Sequence, residues 1–407
     1  MGANVFYISE GEMYMSSNGK IRPIPSAMLN SYLERVRDNA KRNDWKKSGS
    51  GAAFTGAYDP SVDPSTAIAN AKQQSRVLCI GRHRTELVYS LYLGGASGIY
   101  RKRNLEDENE GVVLSDSEYV YNDFDIKQGR MVFSAIFANE SHIGLTNVDG
   151  GEIEYITEGS TRESDPCFAR DGSPYIYFSS LGLSQSDKDS DPEAPSSNGR
   201  FIDERMNGVD CIFGPAALCR FDCEKKELID ICSDEKYDFL NPYAAKNGDI
   251  YYIRRPYTET RSVSVKGCLL DVILLPFRLI RAIFGFFDVF SMAFSGKPLQ
   301  SSGSTKSKQK DPRKTIVDGN IIDANKELKK NKESNDKFPG FIPHTWELHK
   351  LTSEGADTVV KRGVMAFALD ESDGSVVYSN GSSIVRLFAS GEEEKIADAK
   401  KVSKILL

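Results

Sequence analysis

The sequence predicts an all-β fold built from repeats: a single β-propeller of about six four-stranded blades, with five or seven as the alternatives. Two observations predict it. The first is a recurring hairpin. Ser164 to Ser179 reads SDPCFARDGSPYIYFS, a short apolar strand at Cys167 and Phe168, a turn on Asp171-Gly172, and an aromatic strand from Tyr175 to Phe178. Glycine supplies the positive φ of a tight turn, and alternation on either side fixes which side chains face inward. The form returns at Asn241-Pro242-Tyr243 followed by Asn247 to Ile253, and at Phe367 to Leu369 followed by Asp373 to Ser379, with weaker copies over Phe124 to Ser134 and Val5 to Met15. The second observation is spacing. The clear copies at Asp125, Pro166, Pro242 and Ala368 lie about 40, 75 and 125 residues apart, and the excess falls on polar, low-complexity stretches. Without these, each unit has about 40 to 50 residues, the size of one propeller blade.

Taken in order, residues 4 to 25 read as two or three strands turning at Glu10-Gly11 and Asn18-Gly19. Residues 31–47, Ser31 to Lys47, form a basic amphipathic helix inserted between strands, because Tyr32, Leu33, Val36 and Ala40 fall at helical spacing. Gly49 to Ser75 is rich in Gly, Pro, Ser and Asp and reads as a loop with a short helix over Ser65 to Gln74. Strands resume at Arg76 to Ile80, Glu86 to Tyr92, Gly98 to Arg101, Tyr119 to Tyr121, Arg130 to Phe137, His142 to Asn147 and Glu152 to Thr157. Ser184 to Asn198 and Thr258 to Pro343 are polar or low-complexity inserts. The ring is therefore assigned to residues 1–257 and 344–407, and residues 258–343 to a flexible insert carrying an amphipathic helix over 268–294.

Pro166 to Ser173, PCFARDGS, resembles the Pro-x-hydrophobic-Ser-Pro-Asp-Gly signature of TolB-like and WD40-like propeller repeats, with Ala169-Arg170 in place of the usual Ser-Pro. Ile143 to Gly151 and Ala217 to Asp222 resemble the outer hairpins of such blades. The resemblance covers about three quarters of the chain and speaks to fold rather than function. It implies that Lys401 to Leu407 closes the ring by pairing with the strand that begins at Asn4.

Composition narrows the function classes. The net charge is −6 and the pI near 5.5, so nothing global points to a nucleic-acid partner. The segment MGANVFYISEGEMY has no basic leader and no long apolar run, and is read as cytoplasmic. Seven cysteines, mostly inside strand-like runs, fit reduced buried thiols. Cys219 and Cys223 share a strand face with Phe221 and read as core rather than a metal site. Asp187 to Glu193 alternates carboxylates like a calcium loop, but Pro192 stands where such a loop needs glycine, so it reads as a solvated loop. No cofactor or metal is predicted. None of the four histidines sits in a nucleophile or metalloprotease context, and Arg82-His83-Arg84 with Glu86 reads as a polar surface turn that could face a ligand at the propeller mouth.

Gly267 to Phe294, GCLLDVILLPFRLIRAIFGFFDVFSMAF, departs most from the blade pattern. Asp271, Arg278, Arg281, Asp288 and Ser291 fall near one helical stripe, while Leu274, Phe277, Ile280, Phe284, Phe287 and Phe290 cover the rest. Four charges argue against a membrane-spanning helix, since each costs about 2.5 to 3.5 kcal/mol near the bilayer centre. A helix lying in the membrane interface is cheaper. Lys297 to Lys337 adds ten Lys and one Arg against six acids, a net +5, leaving −11 for the rest of the chain, and a basic tether is drawn to anionic lipid. Packing on a protein partner, on a second copy or back on the ring are the alternatives.

The sequence reads as a non-catalytic interaction scaffold attached to an anionic membrane surface, peripherally at its inner face, or to a partner assembly. The contact residues are Leu274, Phe277, Arg278, Ile280, Arg281, Phe284, Phe286, Phe287 and Phe290. A homo-oligomer assembled through the same helix is one alternative. A ligand sensor, hydrolase or lyase using the central funnel is another, and it predicts convergent carboxylates among Asp123, Asp125, Glu163 and Asp165.

Overall fold

The computed structural model describes residues 4–44, 64–106, 108–137, 140–185, 200–201, 211–257, 314–317, 320–334 and 336–407. Alternating apolar patterns give six four-stranded antiparallel blades in chain order, and one parallel pair, Ser141 with Arg162, joins the third and fourth of them into a single sheet. Blade 1 comprises Val5–Ser9, Glu12–Ser17 and Lys20–Ile24, completed on its inner side by Val402–Leu406. Blade 2 is Ser75–His83, Glu86–Leu93, Ser97–Lys102 and Gly111–Asp116. Blade 3 is Val120–Lys127, Arg130–Phe137, Glu140–Asn147 and the two-residue strand Glu154–Tyr155. Blade 4 is Thr161–Phe168, Tyr175–Gln185, Ala217–Asp222 and Glu227–Cys232. Blade 5 is Tyr237–Ala244, Ile250–Pro256, Glu347–Leu351 and Asp357–Arg362, and blade 6 is Ala366–Asp370, Ser375–Ser379, Ser383–Leu387 and Glu393–Asp398.

Because side chains alternate along a strand, each blade offers one apolar face to the blade before it and another to the blade after it. Val5 and Tyr7 pack with Val377 and Ile384 of blade 6, whereas Phe6 and Ile8 pack with Val77, Leu87 and Tyr89 of blade 2. Cys79, Val88 and Ile99 meet Phe124 and Phe133 of blade 3, and Val132 and Ile143 meet Phe168 and Phe178 of blade 4. Tyr177 and Leu218 meet Phe239 and Tyr252 of blade 5, and Ile253 and Leu348 meet Val376 and Tyr378 of blade 6. The core is thus six slabs between six pairs of neighbours, and the last slab returns to the first blade. Gly81 permits one close approach, since a Cβ there would lie 2.7 Å from the Phe124 ring. Hairpin turns use the expected chemistry: Gln128-Gly129 has φ of 53° and 82°, the pair a two-residue hairpin loop needs.

The closing pair is as anticipated, with Tyr7 opposite Ile405 and Ile8 opposite Lys404. Two helices lie between blades 1 and 2. Helix α1, Ala27–Asp44, starts four residues before the expected 31, because Ser26 caps it: its Oγ accepts from the Leu29 N–H at 3.0 Å. Helix α2 spans Pro64–Gln74.

The insert between the second and third strands of blade 5 corrects one expectation. Of the stretch read as flexible to residue 343, the described end is docked on the ring. A hairpin of Lys314–Val317 and Asn320–Asp323 leads into helix α3, Ala324–Glu333, capped by Asp323. Ile322, Phe341, Ile342, Trp346 and Met365 form an apolar cluster, and buried Asn331 donates to the Gly340 and Ile342 carbonyls at 2.8 and 2.9 Å. Lysine-rich composition hid this: α3 is basic outward, while a few apolar residues downstream hold it. The candidate contact residues Leu274 to Phe290, like the acidic loop Asp187 to Glu193, lie outside the described residues.

Candidate functional site in the central channel

Five of the six innermost strands break register near their midpoints. The extra residues are Leu78 in blade 2, Asn122 in blade 3, Asp165-Pro166 in blade 4, Asn241-Pro242 in blade 5 and Ser403 in the closing strand. A bulge re-aims side chains that regular pleating would send into a neighbouring blade. In blades 4 and 5 the device has one form, a residue at positive φ followed by proline: Asp165 has φ 55° and Asn241 φ 51°. Asp and Asn tolerate this region, and proline sits where no ladder N–H is needed.

The bulges bring polar groups from separate blades together at a waist. Lys404 Nζ donates to both carboxylate oxygens of Asp123, at 2.9 and 3.2 Å. The Cys79 thiol donates to Asp123 Oδ1 at 2.7 Å, and the Phe124 N–H donates to the same oxygen at 2.9 Å. Asp165 is hydrogen-bonded to Asp123, and its Oδ2 accepts from the Asn241 N–H at 3.3 Å and from Ser164 Oγ at 3.1 Å. Burial first, and the charge of Asp123 second, push the Asp165 carboxyl up to about 7. Burial and then Asp123 raise the Cys79 thiol. Burial works against the Lys404 ammonium, but Asp123, Cys79 and Asp165 outweigh it and its pKa is raised, so Lys404 stays charged.

A chamber opens on each side of the waist, and Asp165, Asn241, Ser403 and Lys404 line both. The narrow one, about 260 Å³, is lined by residues of all six innermost strands, from Ile80, Phe124 and Cys167 to Tyr243, Phe367 and Ile405. The chain is a six-bladed β-propeller. No protein-family model matches it, and no curated protein does. Among solved structures, TolB from Acinetobacter baumannii is 9% identical with a TM-score of 0.45, over 99% of this chain and 65% of that one. A chain of the nidogen/laminin complex is 6% identical with a TM-score of 0.44, over 99% of this chain and 97% of that one. The tricorn protease is 9% identical with a TM-score of 0.41, over all of this chain and 34% of that one. The propeller assignment rests on the six interfaces and the common channel rather than on these likenesses.

Of the four carboxylates proposed for the funnel, the channel unites two, Asp123 and Asp165. Asp125 lines the narrow chamber, where it is paired with Arg170 at 2.6 Å and accepts from the Phe168 N–H at 2.8 Å. Glu163 faces away: its carbonyl accepts from Ser134 and Ser141, and its carboxylate lies 3.3 Å from His142 Nδ1 between blades 3 and 4. Arg82-His83-Arg84 forms the turn of the first hairpin of blade 2 and lines a cleft of about 660 Å³ with Gln128 and Asp149 of blade 3, while the Arg82 guanidinium lies 5.0 Å over the Phe6 ring. Cys219 and Phe221 are buried and Cys223 is partly so, a core strand as read. Sequence reasoning missed Lys404 and Cys79. The repeated Asp-Pro and Asn-Pro dipeptides were the available signal for the waist.

Proposed function

We propose that the propeller is a non-catalytic protein-interaction scaffold, held at an anionic membrane face by the amphipathic segment 268–294. One observation carries the reading: all six blades have their four strands among the described residues, so the most apolar stretch of the chain is surplus to the ring. The two ends of the insert meet within one blade. It leaves after Pro256, where the Tyr257 N–H donates to the Lys236 carbonyl at 2.7 Å, and returns through the docked cluster around Trp346. A surplus segment tethered at both ends to a rigid body, apolar on most of its circumference and followed by basic chain, has the pattern of an interfacial helix. Hydrophobic surface of that extent needs a cover.

Flotation with anionic and neutral liposomes tests it. The chain should float with anionic vesicles in a salt-sensitive way, and Phe284→Asp with Phe287→Asp should abolish flotation while leaving ring unfolding unchanged. Equal flotation of the double variant overturns the membrane reading. No flotation, with a mass that falls to monomer on removal of Gly267 to Lys337, would assign the segment to self-association instead.

A further inference from the structure

The wide chamber beyond the waist, about 1120 Å³, draws its walls from blades 1 to 5 and from Met365, just before the first strand of blade 6, with helices α1 and α2 at its margin. Its charges are nearly all matched in pairs. Glu10 lies 3.8 Å from Lys401 and Glu12 3.2 Å from Lys72, both near the mouth. Deeper, Asp238 lies 3.2 Å from Arg255, and Asp123 2.9 Å from Lys404. Two groups remain that have no ion pair among the described residues. Asp165 sits at the floor, where two carboxylates surround one ammonium that already contacts Asp123. Arg76 is exposed on the first strand of blade 2, its Cβ against the Glu10-Gly11 turn.

We propose that the wide chamber binds a ligand bearing a protonated amine at one end and an anionic group at the other, the pattern of a short peptide with a free amino terminus. The ammonium would reach Asp165 at the waist, giving two carboxylates two cations, and the anionic end would extend toward Arg76. Three features favour this class. A cavity of this volume holds more than a simple amine. The floor offers an ionisable acceptor beside fixed polar groups, Asn241, Ser164 and Ser403, that are set by bulged strands rather than by mobile loops. The paired charges along the wall already satisfy one another, so a zwitterion adds to the two unmatched sites without breaking a pair.

The test is calorimetric titration of the full chain at neutral pH with tri-alanine and with N-acetyl-tri-alanine. Tri-alanine should bind with a Kd at or below about 1 mM, and the acetylated peptide about tenfold or more weaker, since it lacks the cation. Asp165→Asn should weaken tri-alanine by about the same factor and leave the acetylated peptide unchanged. Asn is a safe substitute at this position, because Asn241-Pro242 already holds the same positive φ and bulge one blade further on. Arg76→Ala should weaken tri-alanine by a smaller factor and weaken its C-terminal amide no further. Equal binding of the free and acetylated peptides overturns the proposal, as does unchanged affinity in Asp165→Asn. No heat from the wild-type chain with tri-alanine at about 10 mM overturns it as well.

Discussion

Blades 4 and 5 carry the same backbone device with different chemistry. Asp165-Pro166 and Asn241-Pro242 both place a left-handed residue before proline, and both shift register against the second strand of their blade. The Asn241 side chain of blade 5 is neutral at any pH, and the backbone N–H of the same residue donates to Asp165. The acid of blade 4 must be protonated or find a cation. The difference teaches that the bulge is scaffolding common to the inner strands, whereas the identity of its first side chain decides whether the waist carries an ionisable site.

The largest effect should come from removing the cation that both acids depend on. Lys404→Met leaves Asp123 and Asp165 together without an ammonium and should cost about 3 to 5 kcal/mol in urea unfolding at neutral pH. Adding Asp123→Asn to Lys404→Met should recover much of that loss. A Lys404→Met chain as stable as wild type would mean that the waist acids need no compensation, and the contrast with blade 5 would collapse.

A smaller effect should appear in the pH dependence of stability. An aspartate ordinarily titrates near 3.9, whereas Asp165 titrates near 7 in the folded chain. Between those values the folded state keeps a proton that the unfolded chain has released, so stability falls as pH rises through this window and levels off above it. Asp165→Asn should flatten that limb and be the more stable protein at pH 8, by on the order of 1 kcal/mol. An undiminished decline in the variant would place the proton on another group.

The smallest effect should be the most alike between the two blades. Pro166→Ala and Pro242→Ala each release the unfolded chain from one constraint and should cost about 0.4 to 1 kcal/mol. Clearly unequal costs, measured by denaturant unfolding, would show that the two bulges are not one device.

The ring was legible because its determinants are local and periodic. Strands such as Arg130–Phe137 match to the residue, and the closing strand lies within the stretch named for it. Other elements were less legible. Helix α1 begins early because of a cap at Ser26, and the fourth strand of blade 3 shrinks to Glu154–Tyr155 from a longer expected run. The docked end of the insert depends on Trp346 and Met365 of the ring, which no periodicity in Ala324–Glu333 announces. Asp123 and Asp165, two of the four candidate carboxylates, meet at the waist, but Lys404 lies 281 residues from Asp123 in sequence. A charge pair across that separation has no signature in either local pattern.

The closing strand has a bearing on the order of assembly. Val402–Leu406 follows every other blade strand in the chain, yet it forms the inner wall of the first blade and brings Lys404 to acids held by blades 3 and 4. A ring still open at blade 1 would therefore hold two acids facing each other without their counter-ion. Docking of one late strand joins the hydrogen-bond ladder and brings the ammonium to Asp123 in a single event, so an almost complete propeller gains little until its final turn of chain arrives. Such a latch makes folding all-or-none across a contact of very long sequence separation, the kind that forms slowly and, once formed, holds the circle shut.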